Sequence, residues 1–356
     1  MLHDFLPHAP RPRSWFAAER SELSAMGRPA RFGTAALAVL LAAQLAFLCW
    51  CNLTQWTNHL DGDSSTQILK VMEMAKAGSL SLPNWNDTTS LLLDTPLMLA
   101  ALLMPLFGNA FTAYGAGNIL LLAAFVYALW QLLRRASCPL PLRLTALFLL
   151  LTPYSYTEVL GYANCMVVQS AHYLMRALYM AYLLYALVQL ERREKGFGHL
   201  VTWLFTLGLG AWIALSSGLF LLLLVLLPVI AGFVLRVFAA NRPRLLLGPG
   251  TAFLVLNLLG FGAGYFVQRY VIHFASRDAV IAWNSYTEFL PNLSKVVQGY
   301  FKLTNALPAV GGVTVLSGQG IAFGIAFVVA MAVPAGVLVC LWRIAHRPAA
   351  ACRAAG

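Results

Sequence analysis

Charged residues are scarce in this sequence. They make up only 10% of its 356 residues, whereas 60% are hydrophobic and the mean hydropathy is +0.72. A soluble domain carries about 25% charged residues. The composition therefore excludes a water-soluble globular protein and predicts an integral membrane protein. Acidic residues are the rarest charged class, 13 against 24 lysines and arginines, so the position of each carboxylate is informative.

Several signatures of catalytic and binding sites are missing as well. The chain contains no GxxxxGK[ST] phosphate loop, no HExxH zinc helix and no GxSxG nucleophile turn. Its six cysteines have neither metal-type spacing nor a paired framework, and we interpret Cys49 and Cys51, at the end of an apolar helix, as small buried side chains. No internal repeat supports an inverted-repeat transporter. None of these local signatures therefore indicates a mechanism.

What the chain does contain is a series of long apolar segments. The first, Phe32–Cys51, is about 20 residues long and can cross a bilayer. It follows a polar, basic segment at residues 1–31. Seven further spans are predicted at 112–133, 142–156, 164–190, 200–215, 218–238, 245–266 and 319–342. The predicted fold is an all-α polytopic membrane protein with about eight transmembrane helices, in a domain that covers residues 32–342 and precedes a tail at 343–356.

Two longer polar segments separate these spans: loop 1, residues 52–111, and loop 2, residues 268–318. Each contains a predicted amphipathic helix, Ser64–Ala77 in loop 1 and the residues around Lys295 in loop 2. Helices of this kind commonly lie in the membrane interface. The apolar run Leu97–Phe107 is too short to span and is predicted to be an interfacial or re-entrant helix.

Basic residues predict the orientation. Seventeen of the 24 lysines and arginines fall in the two termini and in the loops 134–143, 191–199 and 236–244. In the eight-helix arrangement all of these lie on one side, which the positive-inside rule assigns to the cytoplasm. Both termini are therefore predicted to be cytoplasmic, and loops 1 and 2 to face outward. Topology explains the net charge of +11, so membrane lipid is the expected partner and nucleic acid is not.

The stretch His59-Leu60-Asp61-Gly62-Asp63 is the leading candidate for chemistry. Two carboxylates two residues apart at an outer surface can position a general base, bind a divalent metal ion, or do both. The structural alternative is that Asp61-Gly62 forms an ordinary turn and Asp63 caps the helix that follows. Because capping would explain Asp63, Asp61 is the better single candidate for catalysis.

A second candidate is a polar face of the predicted helix 164–190. This face is formed by Gln169, His172, Arg176 and Tyr179. Arg176 is about 12 residues from the predicted outer end, or roughly 18 Å deep, near mid-bilayer. An arginine there needs a polar cavity or a partner. We interpret Arg176 and His172 either as an anion or phosphate site or as part of a structural contact, for instance with Glu158.

Basic residues of loop 2 are further candidates. Arg269 and Lys295 are predicted to contact a substrate phosphate or, as is more common for basic residues at a membrane surface, lipid headgroups.

The order of features over residues 32–135 is similar to that of a known superfamily. One span is followed by a loop that opens with Asp61-Gly62-Asp63 and an amphipathic helix, then by Asn84-Trp85, a short helix ending Leu106-Phe107-Gly108, and a span closed by Arg134-Arg135. This order resembles the GT-C superfamily of polytopic glycosyltransferases, in the manner of bacterial aminoarabinose transferases and protein mannosyltransferases. Where many aminoarabinose-transferase-like members have a lysine-proline-proline run, this chain has Leu93-Asp94-Thr95-Pro96.

The resemblance implies a transferase of the bacterial plasma membrane that takes sugar from a polyprenyl-phosphate donor at the outer face. It places the residue that activates the acceptor at Asp61 or Asp63. The departing phosphate would be neutralised by Arg176, by a basic loop residue or by a divalent metal ion. The acceptor would be a lipid, a glycan or a protein. Two other hypotheses are a transporter or lipid flippase whose path is lined by Arg176 and His172, and a non-catalytic membrane subunit.

Overall fold

The described part of the chain contains helices and no strands. The computed structural model describes residues 15–55, 60, 62–79, 82, 85, 91–152, 174–191, 197–239, 246–272, 285–304, 306–307, 314 and 316–345. The α-helices are α1 (Trp15–Ala25), α2 (Arg28–Thr54), α3 (Gly62–Ala77), α4 (Leu97–Phe107), α5 (Ala110–Arg135), α6 (Leu140–Leu151), α7 (Leu174–Glu191), α8 (Phe197–Ser217), α9 (Leu219–Leu221), α10 (Leu227–Ala239), α11 (Pro249–Phe266), α12 (Tyr286–Leu303) and α13 (Gly318–Ala345). A π-helical turn at Leu222–Leu226 joins α9 to α10, and another at Val267–Val271 extends α11.

Several of these helices are suited to cross a membrane. By length and composition, candidate spans in the described residues are Arg28–Thr54, Ala110–Arg135, Leu219–Phe238, Pro249–Val271 and Gly318–Gly336. Helices α4, α6, α7 and most of α8 are apolar but shorter. The chain is therefore a helical protein with several candidate membrane spans. The predicted count of eight is not confirmed, and part of two predicted spans, 142–156 and 164–190, lies outside the described residues.

The helix ends gather at two opposite ends of a bundle. At one end, α1 lies against the start of α6, where Arg143 Nη1 is 3.2 Å from Glu19 Oε1. At the other end, the last turn of α2 meets the first turns of α5, and Asn118 Nδ2 donates to Asn52 Oδ1 at 2.6 Å. We call these the Arg143 end and the Asp94 end, after a buried charged residue at each.

Apolar cores hold the described helices together. One joins α2, α5, α6 and α7, a second joins α7 to α8, α9 and α11, and a third joins α3 to α4 and the start of α5. The backbones of α8 and α11 come closest where a Cβ added at Gly264 would collide with the carbonyl oxygen of Ala211. Gly260 lies one turn earlier on the same face, and small residues four apart permit this close packing.

Helix α3 forms where the amphipathic pattern predicts it, and one of its faces is covered by protein. Val71 and Met74 are buried in the core that α3 shares with Leu97 of α4. On the polar side, Gln67 is also fully buried and its Oε1 accepts a 2.7 Å hydrogen bond from Tyr114. The apolar face of α3 therefore packs against α4 and α5, and the position of this helix at the membrane interface stays a prediction.

Helix α12 keeps the exposed apolar face that an interfacial helix requires. Leu290 is 71% exposed and Val296 is 68% exposed. The helix is joined to α13 at its other end, where the Tyr300 hydroxyl donates to the Ala330 carbonyl oxygen at 2.6 Å. The same sequence pattern thus gives a buried helix in loop 1 and an exposed helix in loop 2.

Candidate functional site

An ion pair at the Asp94 end joins α7 to the turn before α4. Arg176 Nε lies 3.5 Å from Asp94 Oδ2, and the two side chains are 14% and 1% exposed. Arg176 lies in the first turn of α7 as described, and Asp94 lies just ahead of α4. Moving a carboxylate this far from solvent is costly unless a cation and hydrogen bonds compensate it. The pair therefore fixes the base of loop 1 to α7.

Hydrogen bonds with Ser216 hold Asp94 in place. The Ser216 hydroxyl donates to Asp94 Oδ1 at 2.6 Å, and the Asp94 backbone N–H donates to the same Ser216 oxygen at 3.2 Å. Gln268 Nε2 donates to the Ser216 carbonyl oxygen at 2.9 Å. A chain of buried polar contacts thus runs from Arg176 through Asp94 and Ser216 to Gln268, and connects the base of loop 1 to the first residue of loop 2.

The local sequence around Ser216 explains this geometry. Ser216 is next to last in α8, and Gly218 follows with a φ of +53°, a conformation that favours glycine. A Cβ at Gly218 would also lie 2.9 Å from Gln268 Oε1. Gln268 itself belongs to the π-helical turn Val267–Val271, and such turns are frequent at functional sites. A tight turn and a widened helix therefore bring the polar groups together.

The turn that carries Asp94 is anchored along its backbone. Its carbonyl oxygens accept hydrogen bonds from the side chains of Lys70 (to Leu91, 3.2 Å), Thr95 (to Leu92, 2.6 Å) and Trp212 (to Leu93, 3.0 Å). Lys70 is itself buried. Side chains of α3 and α8 therefore anchor the turn that carries Asp94.

Arg176 has contacts close to the end of α8. Its partner Asp94 touches Ser216 at the end of α8, and Phe220, whose ring centroid is 5.8 Å from the Arg176 guanidinium carbon, lies just after the turn into α9. The predicted mid-bilayer depth assumed a helix beginning at Asn164, and residues 153–173 lie outside the described part. Arg176 forms an ion pair with Asp94; Glu158, the partner suggested by the sequence, is not described, and the choice between an anion site and a structural contact stays a prediction.

The leading candidates Asp61 and Asp63 flank the start of α3. The helix begins at Gly62, two residues before the predicted Ser64. Asp63 therefore lies in the first turn of the helix rather than at the cap position before it, and the capping argument that favoured Asp61 over Asp63 is lost. Asp61 and the side chain of Asp63 lie outside the described residues, so their roles remain predictions.

The other predicted site residues are separated from Arg176 or are not described. His172 and Gln169 lie outside the described residues. Arg269 is exposed on the π-helical turn next to Gln268, and Lys295 is exposed on α12. No contact in the described residues joins Arg269 or Lys295 to Arg176. A single phosphate site formed by all of these residues is therefore not observed.

Asp94, Ser216 and Gln268 were not predicted as site residues. The sequence offered one signal: Asp94 is an acid placed directly before an apolar helix, in a chain with 13 acids. Acids at membrane depth usually have a partner. Ser216 and Gln268 are common polar residues near predicted span ends, and only the packing of α8 against α11 identifies them.

The arrangement holds a guanidinium against a buried carboxylate that also accepts a hydrogen bond from Ser216. The described residues contain no group of three histidine, cysteine, aspartate or glutamate side chains that could hold a metal ion. A divalent ion at Asp61 and Asp63 remains a prediction, since neither carboxylate is described.

Comparison of the chain with protein-family models, with curated proteins and with solved structures finds no match.

Proposed function

We propose that this chain is an integral membrane glycosyltransferase of the GT-C type. It moves a sugar from a polyprenyl-phosphate donor to an acceptor hydroxyl at the outer face of the plasma membrane. The proposal includes eight spans, cytoplasmic termini and outward-facing loops 1 and 2. Asp61 or Asp63 acts as the general base on the acceptor, and Arg176 neutralises the phosphate that leaves the sugar. Arg269 and Lys295 attract phosphate from loop 2.

The observation that carries the proposal is the buried guanidinium at the Asp94 end. Arg176 is paired with the base of loop 1, which is the loop that contains Asp61 and Asp63. Lys70 of α3 also bonds to this base, so the helix that begins beside the two acids is anchored to the same turn. Sugar transfer from a lipid phosphate needs a base and a phosphate-binding cation at one face of the membrane, and this arrangement supports both requirements.

The position of Arg176 favours a transferase over a transporter. A transporter places its substrate site near the middle of the bilayer. Arg176 instead pairs with Asp94 beside the turn at Gly218, where α8 ends and α9 begins. A cation near the helix ends suits a reaction at the membrane surface.

Separate variants Asp61→Asn, Asp63→Asn and Arg176→Gln test the assignment in membranes supplied with a polyprenyl-phosphate sugar. We expect Arg176→Gln and at least one aspartate variant to lower transfer by about 10²–10³-fold, the typical loss when one charge-stabilising group is removed. The matched control is Glu73→Gln, because Glu73 is an exposed acid of α3 paired with Lys76 at 2.7 Å. Full transfer by both aspartate variants would overturn the catalytic assignment, and a wild-type chain without transfer would favour a non-catalytic subunit. Loss of transfer on chelation would indicate a divalent metal ion.

Cysteines introduced at Ser79 and Ser137 test the orientation. Ser79 follows α3 and Ser137 follows α5, so we expect an impermeant thiol reagent to label Ser79→Cys from outside and Ser137→Cys only after permeabilisation. The reverse pattern would contradict the topology.

A further inference from the structure

Helix α12 has little contact with protein over its first three turns. Every side chain from Glu288 to Gln298 is exposed, except that of Asn292, which is half-buried. The exposed apolar side chains of this stretch lie on one face of the helix: Phe289, Leu290, Leu293, Val296 and Val297. An amphipathic helix owes most of its stability to the surface that covers its apolar face. The described part of the chain does not supply that surface.

Two aromatic residues near the end of α12 determine its position along α13. The Tyr300 hydroxyl donates to the carbonyl oxygen of Ala330 at 2.6 Å. The rings of Phe301 and Phe327 stack with their centroids 5.1 Å apart. Both contacts on α13 lie between nine and twelve residues after Gly318, its first residue, which is roughly 14–18 Å along the helix. The end of α12 therefore contacts the interior of α13 and not its first turn.

The contacted part of α13 lies at the depth of hydrocarbon. This helix contains the candidate span Gly318–Gly336 and has 28 residues in total. It is about 42 Å long, whereas the hydrocarbon core is about 30 Å thick. Wherever an upright α13 is placed so that it crosses the core, the section roughly 14–18 Å from its start lies inside the core. The apolar face of α12 is therefore level with lipid chains, which can cover it.

The opposite side of α12 is basic. Lys295 and Lys302 are seven residues apart with Gln298 between them, and all three side chains are exposed. Neither lysine forms an ion pair within the described residues, and Glu288 is the one acid in the sequence of the helix. A lysine can lay its carbon chain along apolar surface while its ammonium group reaches the headgroups. The charge of this side is complementary to lipid phosphate.

We propose that α12 is a docking helix for anionic phospholipid, embedded in the leaflet in which α13 begins. Its apolar face enters the acyl chains, Tyr300 and Phe301 join it to α13, and its lysines bind the phosphates of anionic headgroups. Each lysine near an anionic surface is worth about fivefold in affinity. This role goes beyond the proposed function and does not rest on it, because the lipids concerned are those of the bilayer and not a sugar donor.

Photo-crosslinking of the full chain in lipid vesicles tests the position of α12. Benzoylphenylalanine replaces Leu293 on the apolar face in one sample and Gln298 on the basic side in the other. The vesicles contain equal amounts of phosphatidylcholine and phosphatidylglycerol, and mass spectrometry counts the lipid adducts after illumination. We expect severalfold more adduct with acyl chains from position 293 than from position 298, and Leu290 provides a second position on the apolar face. Equal adduct from both faces, or crosslinks from the apolar face to a second copy of the chain, would overturn the embedding in lipid.

The headgroups of the adducts at position 293 test the two lysines. We expect the ratio of phosphatidylglycerol to phosphatidylcholine adducts to fall at least about fivefold in Lys295→Gln/Lys302→Gln. Lys295→Arg/Lys302→Arg retains both charges and should keep the ratio of the unaltered chain. The matched control is Lys76→Gln, because Lys76 is an exposed lysine of the other amphipathic helix, α3, and is paired with Glu73 at 2.7 Å.

An unchanged adduct ratio in the double glutamine variant would overturn the role of the lysines. An equal fall in Lys76→Gln would overturn it as well, since the net charge of the chain and not a site on α12 would then select the lipid. Neither readout involves sugar transfer. A chain that passes both tests and transfers no sugar would therefore refute the proposed function alone.

Discussion

Two buried arginines lie at opposite ends of the helix bundle, and they are compensated differently. Arg143 is fully buried and is held by two carboxylates of α1, with 3.2 Å to Glu19 and 2.5 Å to Glu22. Arg176 is partly exposed and lies 3.5 Å from Asp94. Short, forked contacts to a side chain without solvent access are typical of a structural pair. The longer Arg176–Asp94 contact is made by a side chain that keeps some exposure.

Burial alone therefore does not choose between the two arginines as candidates for a functional charge. By burial, Arg143 would be the stronger candidate for a functional site. Its two partners, together with the 3.1 Å hydrogen bond from the Leu140 backbone N–H to Glu22, show that it ties α1 to the start of α6. The length of the ion pair and the remaining exposure separate the two cases, and this distinction leads to testable differences in stability.

The largest effect is expected when Arg143 loses its carboxylates. In Glu19→Gln/Glu22→Gln, a fully buried guanidinium would be left without its negative partners, which costs about 3–5 kcal/mol of stability. Asp94→Asn should lower the stability by less, because the partly exposed side chain of Arg176 can still be solvated. Thermal unfolding of both variants in the same detergent measures the difference.

The control for this comparison is Glu73→Gln, which removes an exposed pair and should change stability by no more than about 0.5 kcal/mol. If Asp94→Asn is destabilised as strongly as the double glutamate variant, the contrast between the two arginines is wrong.

Sequence reasoning predicted the helices well where length and hydropathy suffice. Leu97–Phe107 has the predicted bounds in the structure, because the turn residues Asp94-Thr95-Pro96 and the left-handed Gly108 delimit it. The first span was predicted to begin at Phe32 but begins at Arg28. Charged residues can extend a membrane helix beyond its apolar part, so composition underestimates its length.

Sequence reasoning failed where tertiary contacts decide. Helix α1 lies in the segment that the sequence indicated only as a basic terminus. Its two glutamates pair with Arg143, and this contact is visible only in the folded structure. Helices α3 and α12 have similar amphipathic patterns. The apolar face of α3 packs on α4, whereas the apolar face of α12 is exposed. An amphipathic pattern indicates that one face will be covered, but it does not identify whether lipid or protein covers it.

The candidate site was predicted in part for the same reason. Arg176 was singled out because an arginine in an apolar helix needs a partner. Asp94 is 82 positions away in the chain, and no local spacing connects the two. Ser216 and Gln268 join them only because α8, α11 and loop 1 meet at one end of the bundle.

A smaller effect is expected when the support of Asp94 is weakened. Ser216→Ala removes the 2.6 Å hydrogen bond to a buried carboxylate, and bonds to charged groups contribute about 1.5–3 kcal/mol. The matched control on the same helix is Thr206→Val, where the hydroxyl bonds only to the Thr202 carbonyl oxygen of its own helix at 2.7 Å. We expect Ser216→Ala to melt at a clearly lower temperature than Thr206→Val. Similar melting temperatures would mean that Ser216 does not support Asp94.

The smallest effect concerns the aromatic rings beside the two arginines. The guanidinium carbon of Arg143 lies 5.0 Å from the ring centroid of Trp130, and that of Arg176 lies 5.8 Å from Phe220. A cation–π contact at an exposed site is worth about 0.5–1 kcal/mol, and tryptophan is the strongest partner. Phe220→Leu, which keeps an apolar side chain of similar size, should therefore cost less than about 1 kcal/mol. It should cost less than Trp130→Leu, because Trp130 contacts a fully buried cation and packs on a core. Thermal unfolding of the two leucine variants checks this order. If Phe220→Leu proves the more damaging, the ring of Phe220 contributes more to stability than that of Trp130, and the expected order of the two arginine–ring contacts is wrong.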